Sequence, residues 1–151
     1  MTLVPRLPPV PMDPEGQRLL QRLPDWLPER GKPAVLVTVF AVEGSAPRQV
    51  GARLLARDGK LVAGTIGGGH LEDQALRDAQ RVAEGALEAD DADAPAEAAV
   101  EVHVEADSGG YHARLCRYPL GPQLAQCCGG VVWLHYCAVD ARSAGEIARK
   151  I

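Results

Sequence analysis

The sequence predicts a single α+β domain with a mixed or antiparallel sheet and few helices, preceded by a proline-rich arm. Its 151 residues are the length of one ordinary domain. Hydrophobic residues make up 46% of the chain, which suffices for one core. Strand patterns outnumber helical patterns, and the two do not alternate regularly as they would in a doubly wound fold.

The first 33 residues contain eight of the twelve prolines, so we expect residues 1–33 to form an irregular arm with one short helix. That helix should lie between Pro14 and Arg30, where leucines recur at helical spacing, and Pro24 should bend or end it. Residues 34–42, AVLVTVFAV, are continuously apolar and rich in β-branched side chains. This pattern predicts a strand that is buried on both faces.

A hairpin is predicted next, because Asp58-Gly59 between two apolar runs is a strong hairpin signal. A helix should start near His70 and stop at Gly85, since apolar residues between them share one helical face. The tail after residue 140 has the pattern of a further helix. Additional strands are predicted at residues 99–106, 111–118 and 131–140.

Charge is distributed unevenly along the chain. Between Val82 and Ala113 there are nine acidic residues and no lysine or arginine, so residues 87–110 are expected to be an acidic linker or insertion. The rest of the chain holds 11 acidic against 16 basic residues, which favours an anionic ligand. No basic run with interleaved aromatic residues is present, so nucleic acid is not an expected partner.

The sequence predicts a cytoplasmic protein that is not in a membrane. It has no apolar run of 18 residues, and its first residues lack the apolar segment of a secretory signal. The four cysteines are therefore expected to be reduced thiols, with Cys116 and Cys137 packed in the core. Strand edges left open would allow the chain to form a homo-oligomer.

The segment GTIGGG, residues 64–69, lies between a predicted strand and a predicted helix. Glycines let a backbone approach a ligand closely, and the first amides of a helix point towards an anion. Ligand contacts are therefore expected from Gly67, Gly68, Gly69 and His70. The segment lacks the registers of dinucleotide and phosphate loops, so a tight structural turn is the alternative.

The segment GSAPR, residues 44–48, follows the buried strand 34–42. Ser45 offers a hydroxyl donor and Arg48 a fixed positive charge, in the kind of loop where functional residues are often found. A structural turn with an arginine facing solvent is the alternative.

The segment CCGG, residues 127–130, places two adjacent thiols before two glycines. Adjacent cysteines do not readily bond to each other, and they lack the spacing of a zinc site. A turn at Gly129 and Gly130 would let both thiols line one pocket, where a thiolate serves as nucleophile, sulfur carrier or soft metal ligand. Cys127 and Cys128 are therefore candidate cofactor and metal ligands, with buried structural thiols as the alternative. Gly129 and Gly130 are candidate cofactor contacts beside them.

Three segments together resemble the XdhC/CoxI family of xanthine dehydrogenase accessory proteins. They are VTVFAVEGSAPRQVGARLLA, LVAGTIGGGHLEDQAL and LGPQLAQCCGGVVWL, in the family's order and at about its spacing. One departure is Ala125, where the family tends to have glycine. The resemblance implies a chaperone that binds molybdenum cofactor (molybdopterin), favours its sulfurated form and delivers it to a xanthine dehydrogenase-type apoenzyme.

The resemblance also implies a domain organisation. Residues 34–140 would be the XdhC/CoxI-like domain, with residues 87–110 as its linker or insertion. Residues 141–151 would be a C-terminal tail, at the point where the family usually continues into a Rossmann-like domain. The expected organisation of residues 1–151 therefore does not include that second domain.

We therefore expect a cofactor-binding accessory protein that assists sulfuration and insertion of molybdenum cofactor and has no turnover reaction of its own. Cys127 and Cys128 would face molybdenum or its terminal sulfur, while Ser45 and Arg48 would hold anionic oxygens. A cysteine desulfurase is a further candidate partner. No catalytic set is apparent. Two alternatives remain open: a thiol-dependent sulfur-transfer or redox enzyme using the cysteine pair, and a nucleotide-binding module.

Overall fold

The computed structural model describes residues 13–27, 33–44, 49–83, 113–120 and 130–150. The helices in these ranges are α1 Pro14–Gln21, α2 Leu23–Trp26, α3 Gly69–Ala83 and α4 Ala141–Lys150. The strands are β1 Ala34–Glu43, β2 Arg53–Arg57, β3 Lys60–Gly64, β4 Ala113–Pro119 and β5 Val131–Val139. The predicted strand at residues 99–106, the acidic segment 87–110 and Gly85 lie outside the described residues.

The five strands form one antiparallel sheet in the order β3-β2-β1-β5-β4. The α+β fold class is therefore confirmed, and the choice that the sequence left open between a mixed and an antiparallel sheet is decided. None of the helices in the described ranges is both long enough and apolar enough to span a lipid bilayer.

The N-terminal helical segment consists of two short helices. Asp13 caps α1 by accepting a hydrogen bond from the Gly16 N–H at 2.9 Å. Pro24 lies in the first turn of α2, a position where a proline costs no intrahelical hydrogen bond. The predicted interruption near Pro24 is thus present, and a second helix begins at Leu23, one residue before the proline.

The central strand and the hairpin beside it follow the sequence pattern. Residues 34–39 of β1 are buried whichever face of the sheet they point to. Asp58 and Gly59, with φ of 54° and 73°, form the turn between β2 and β3. Positive φ at both central residues is what a two-residue hairpin turn of this hand requires.

Helices cover both faces of the sheet, so there are two cores. On one face α3 packs through Leu71, Ala75, Ala79 and Val82. On the opposite face α1, α2 and α4 pack against alternate residues of the same strands. The buried side chains of that second core are Leu19, Leu20, Leu23, Leu27, Ala34, Leu36, Leu55, Cys137, Val139, Ala144 and Ile147.

A buried chain of hydrogen bonds fixes α3 on the sheet. The Tyr118 hydroxyl donates to Asp78 Oδ2 at 2.6 Å and lies 2.5 Å from the Tyr136 hydroxyl. Because a phenol has only one proton, Tyr136 must donate to Tyr118, which donates in turn to Asp78. Gln74 donates to the other carboxyl oxygen of Asp78 at 3.0 Å. This chain connects β5, β4 and α3 through the first core.

Candidate functional site

Three segments that the sequence singled out leave the sheet at the same end. Strands β1, β3 and β4 run in one direction, because each is separated from the next by one antiparallel neighbour. GSAPR follows β1, GTIGGG begins at the last residue of β3, and CCGG lies between β4 and β5. We call this end of the sheet, where β1, β3 and β4 end and β5 begins, the loop end.

The GSAPR and CCGG segments touch where they meet the sheet. Gly44, the first residue of GSAPR, has φ of 71°, and a Cβ added to it would lie 3.3 Å from Cα of Gly130. Gly130 is the last residue of CCGG, and its carbonyl accepts a hydrogen bond of 2.7 Å from the Leu120 N–H. The contact between these two glycines leaves little room for a side chain at Gly44.

The glycine-rich segment is held in a defined shape by one carboxylate. Glu72, in the first turn of α3, accepts hydrogen bonds from Thr65 Oγ1 at 2.7 Å and from the Ile66 N–H at 3.1 Å. Thr65 Oγ1 accepts in turn from the Gly67 N–H at 3.0 Å. Neither Thr65 nor Glu72 was expected from the sequence to contribute to the site. A glutamate three residues into a helix is a recognised signal for a side chain that folds back onto the preceding loop.

The same hydrogen bonds narrow the set of backbone donors at this segment. Gly67, Gly68 and Gly69 have φ of 123°, 75° and 66°, a run of left-handed conformations that only glycine adopts readily. The Gly67 N–H is already engaged by Thr65, which leaves the amides of Gly68 and Gly69 as the better candidates. A Cβ added to Gly68 would meet no atom within 4 Å, so its surroundings are open.

His70 follows directly and lies exposed in the first turn of α3. It is therefore next to the amides of Gly68 and Gly69, at the helix end where the backbone dipole favours an anion. Of the residues predicted to bind cofactor, Ser45, Arg48, Cys127, Cys128 and Gly129 lie outside the described residues. Their roles stay predictions.

The other two cysteines are in the core, as expected. Cys116 and Cys137 are 7% and 1% exposed. Burial raises the pKa of the Cys137 thiol to about 12, so this thiol is protonated and unreactive at neutral pH. Within the described ranges, no three His, Cys, Asp or Glu side chains converge as a metal site would require.

Comparisons with known proteins bear on the same segments. Residues 27–89 match the model of the XdhC and CoxI family. The matched range contains GSAPR and GTIGGG, whereas CCGG lies beyond it. No curated protein matches the chain.

One solved structure resembles the fold. It is a crystal structure described as a xanthine dehydrogenase from Bacillus halodurans, 22% identical in sequence with a TM-score of 0.60. The alignment covers 89% of this chain and 33% of that one, so this chain spans about a third of the length of its structural relative. The similarity establishes that the two share a fold.

Proposed function

Because residues 27–89 match the model of the XdhC and CoxI family, we propose that the chain binds molybdenum cofactor and assists its sulfuration and insertion into a xanthine dehydrogenase-type apoenzyme. The observation that supports this proposal most strongly is the arrangement of three segments at the loop end of the sheet. Three sequence segments with ligand-binding chemistry leave the sheet there, and two of them touch through Gly44 and Gly130.

The described part of the loop end suits an anionic ligand. Molybdopterin carries a phosphate, and its molybdenum is held by dithiolene sulfurs and bears oxo or sulfido groups. Such a group needs backbone donors for its oxygens. The amides of Gly68 and Gly69, the open space beside Gly68 and the start of α3 at His70 supply them.

The remaining roles extend the proposal to residues outside the described ranges. Cys127 and Cys128 would hold molybdenum or its terminal sulfur, since thiolates are soft ligands. Ser45 and Arg48 would bind anionic oxygens, and Gly129 and Gly130 would let the cysteine segment turn towards them. When bound, the cofactor supplies molybdenum redox chemistry for its client enzyme. The residues of this chain bind it and shield it from water.

Pterin analysis of the purified chain tests the proposal. After expression in a host that makes molybdenum cofactor, we expect about one equivalent of molybdopterin per chain. Changing both Cys127 and Cys128 to alanine should remove most of it, because the soft ligands are lost. The matched control is Cys137→Ala, which removes a buried thiol of the second core and should leave the pterin content unchanged.

Two results would contradict different parts of the proposal. Full pterin content in the double cysteine variant would remove the cysteines from the site, while absence of pterin from the wild-type chain would remove the function. A persulfide on Cys127 or Cys128 without bound pterin would instead favour a sulfur-transfer enzyme. A rise in melting temperature with NAD, ATP or AMP would favour a nucleotide-binding module.

A further inference from the structure

Three buried polar side chains form a row across the middle of the sheet. Thr38 of β1 is paired with Arg53 of β2 on one side and with His135 of β5 on the other. Directly paired residues on one face have Cβ atoms about 4.5–5.5 Å apart, so neighbours in this polar row can share a ligand. Thr38 is 0% exposed, and Arg53 and His135 are each 3% exposed.

The polar row lies on the sheet face opposite α3. Each residue of the polar row lies two positions along its strand from a residue of the second core. These neighbours are Leu36 on β1, Leu55 on β2 and Cys137 on β5. Side chains two residues apart on a strand point to the same face. The polar row is therefore separated by the sheet from α3 and its core.

The polar row contains hydrogen-bonding atoms that the described residues do not satisfy. Thr38 Oγ1 and both ring nitrogens of His135 are buried and have no hydrogen-bond partner in the described part of the chain. Leaving such groups without a partner opposes folding, and native proteins rarely do so. Three such atoms on two adjacent side chains indicate that something other than these residues satisfies them.

The charges around the polar row favour an anion. Burial, assisted by the positive charge of Arg53, lowers the pKa of His135 to about 4, so at neutral pH its ring is uncharged and carries one N–H donor. Thr38 adds a hydroxyl donor and Arg53 a guanidinium. Arg53 also interacts electrostatically with Asp13, and its Nη1 donates to the Gly51 carbonyl at 3.4 Å. The polar row itself therefore contains hydrogen-bond donors and one positive charge but no carboxylate.

A second cation lies towards the loop end on the same face. Arg117 of β4 is paired with Trp133 of β5, two residues from His135, and its guanidinium lies 5.9 Å from the centre of the indole ring. Trp133 is half-buried. Positive charge thus continues from the polar row towards the end of the sheet where ligands are expected to enter.

We infer that the polar row is an internal binding site for a small oxyanion of the phosphate or sulfate class, either free or as a terminal group of a larger molecule. One tetrahedral oxyanion has enough acceptor oxygens for the Thr38 hydroxyl, a His135 N–H and the Arg53 guanidinium together. The site lies on the opposite face of the sheet from α3, and it does not depend on the proposed cofactor.

The test is the melting temperature of the full chain as inorganic phosphate is added. Phosphate also stabilises proteins by being excluded from their surface, so the informative part is a saturable rise above that steady trend. At a phosphate concentration about 100 times Kd, the ratio of folded to unfolded chain should rise about 100-fold. Thr38→Val keeps the shape of the side chain but removes its hydroxyl, and it should weaken the saturable binding about tenfold. His135→Phe should weaken it similarly.

Two matched controls locate the phosphate. Tyr118→Phe removes a buried hydroxyl on the opposite face and should leave the saturable rise intact. Gly68→Ala tests the glycine-rich segment, whose amides are proposed to bind the phosphate of the cofactor. The part of the saturable rise that Thr38→Val and His135→Phe remove should still be present in Gly68→Ala. If the site recognises only the oxyanion, both free phosphate and a phosphate monoester such as glycerol phosphate should produce the saturable rise in melting temperature. A response to the monoester alone would assign the site to a larger ligand of the same class.

Three results would overturn the inference. A steady rise that is the same in all variants would mean that the polar row holds only water. A saturable rise lost in Gly68→Ala but kept in Thr38→Val would place phosphate at the glycine-rich segment. Thr38→Val could lower the melting temperature equally in phosphate-free buffer and in phosphate. This result would mean that the Thr38 hydroxyl already has a partner within the protein. The first and third results leave the cofactor proposal untouched.

Discussion

Removing the Tyr118 hydroxyl should destabilise the fold more than removing the Tyr136 hydroxyl, although both are buried in the same hydrogen-bond chain. Tyr118 is the middle member, since it accepts from Tyr136 and donates to Asp78. Tyr118→Phe therefore leaves two buried groups without their partner, the Tyr136 hydroxyl and one Asp78 oxygen. Tyr136→Phe removes only the terminal donor, and Tyr118 can still donate to Asp78.

The magnitudes follow from the number of stranded groups. A buried polar group left without a partner costs about 1–3 kcal/mol, so Tyr118→Phe should lower the free energy of unfolding by about 3 kcal/mol. Loss of one ordinary hydrogen bond in Tyr136→Phe should cost about 1 kcal/mol. For a chain of this length these values correspond to roughly 6–12 °C and 2–4 °C in melting temperature.

Urea unfolding followed by circular dichroism measures both changes, provided that the slope of the transition stays the same. The double variant should be no less stable than Tyr118→Phe alone, because it also removes the stranded Tyr136 hydroxyl. Equal losses in the two single variants, or simple additivity in the double variant, would refute the order of donors assigned to this chain.

Three further changes test separate features. Gly68 has a φ of 75° and open space around it, so Gly68→Ala should lower the free energy of unfolding by about 1 kcal/mol. Gly145 in α4 also has open space, and Gly145→Ala should raise the free energy of unfolding by about 0.5–1 kcal/mol. Equal effects of the two substitutions would contradict the left-handed conformation at Gly68. Because the pKa of His135 is lowered from 6.5 to about 4 on folding, its neutral form stabilises the fold above pH 6.5, and roughly 3 kcal/mol should be lost as the pH falls to 4. His135→Phe should lose less over that window in urea titrations, and an unchanged slope would show that other groups cause the acid sensitivity. Alkylation at pH 8 followed by mass spectrometry should modify neither Cys116 nor Cys137 in the folded chain, and rapid labelling of Cys137 would contradict its burial and its pKa of about 12.

The sequence predicted the strands of the described ranges well because their signals are local. The continuous apolar run of β1 and the Asp58-Gly59 turn each act over a few residues, and both are present. It could not decide between mixed and antiparallel pairing. A strand buried on both faces is typical of a parallel sheet, but β1 shows the same pattern because helices cover both faces of an antiparallel one.

The parts of the candidate site that the sequence did not reveal depend on contacts between distant residues. Gly44 and Gly130 touch because β1 pairs with β5, and no spacing in the sequence encodes that pairing. The glycine run was recognisable in the sequence. That the Gly67 N–H already donates to Thr65 became apparent only from the position of the Thr65 hydroxyl in the structure. His135 lies beside Thr38, which in turn lies beside Arg53, because of strand register alone, and no local sequence pattern indicates that register.

The order of the strands sets how a ligand can use the loop end. GSAPR follows β1 and is adjacent to the CCGG segment before β5, whereas GTIGGG follows β3, on the far side of β2. Neighbouring strands are about 4.8 Å apart, so β3 and β5 are separated by roughly 14 Å at the sheet. In the proposed site, a phosphate held by Gly68 and Gly69 would therefore lie far from Gly130, where the CCGG segment ends, whereas a longer ligand with phosphate at one end and metal at the other would span that distance. Inorganic phosphate should accordingly leave the alkylation rates of Cys127 and Cys128 unchanged, and bound molybdenum cofactor should slow them. Equal protection by phosphate and by cofactor would show that the glycine-rich and cysteine segments fold onto one small site, and the extended binding mode would then be wrong.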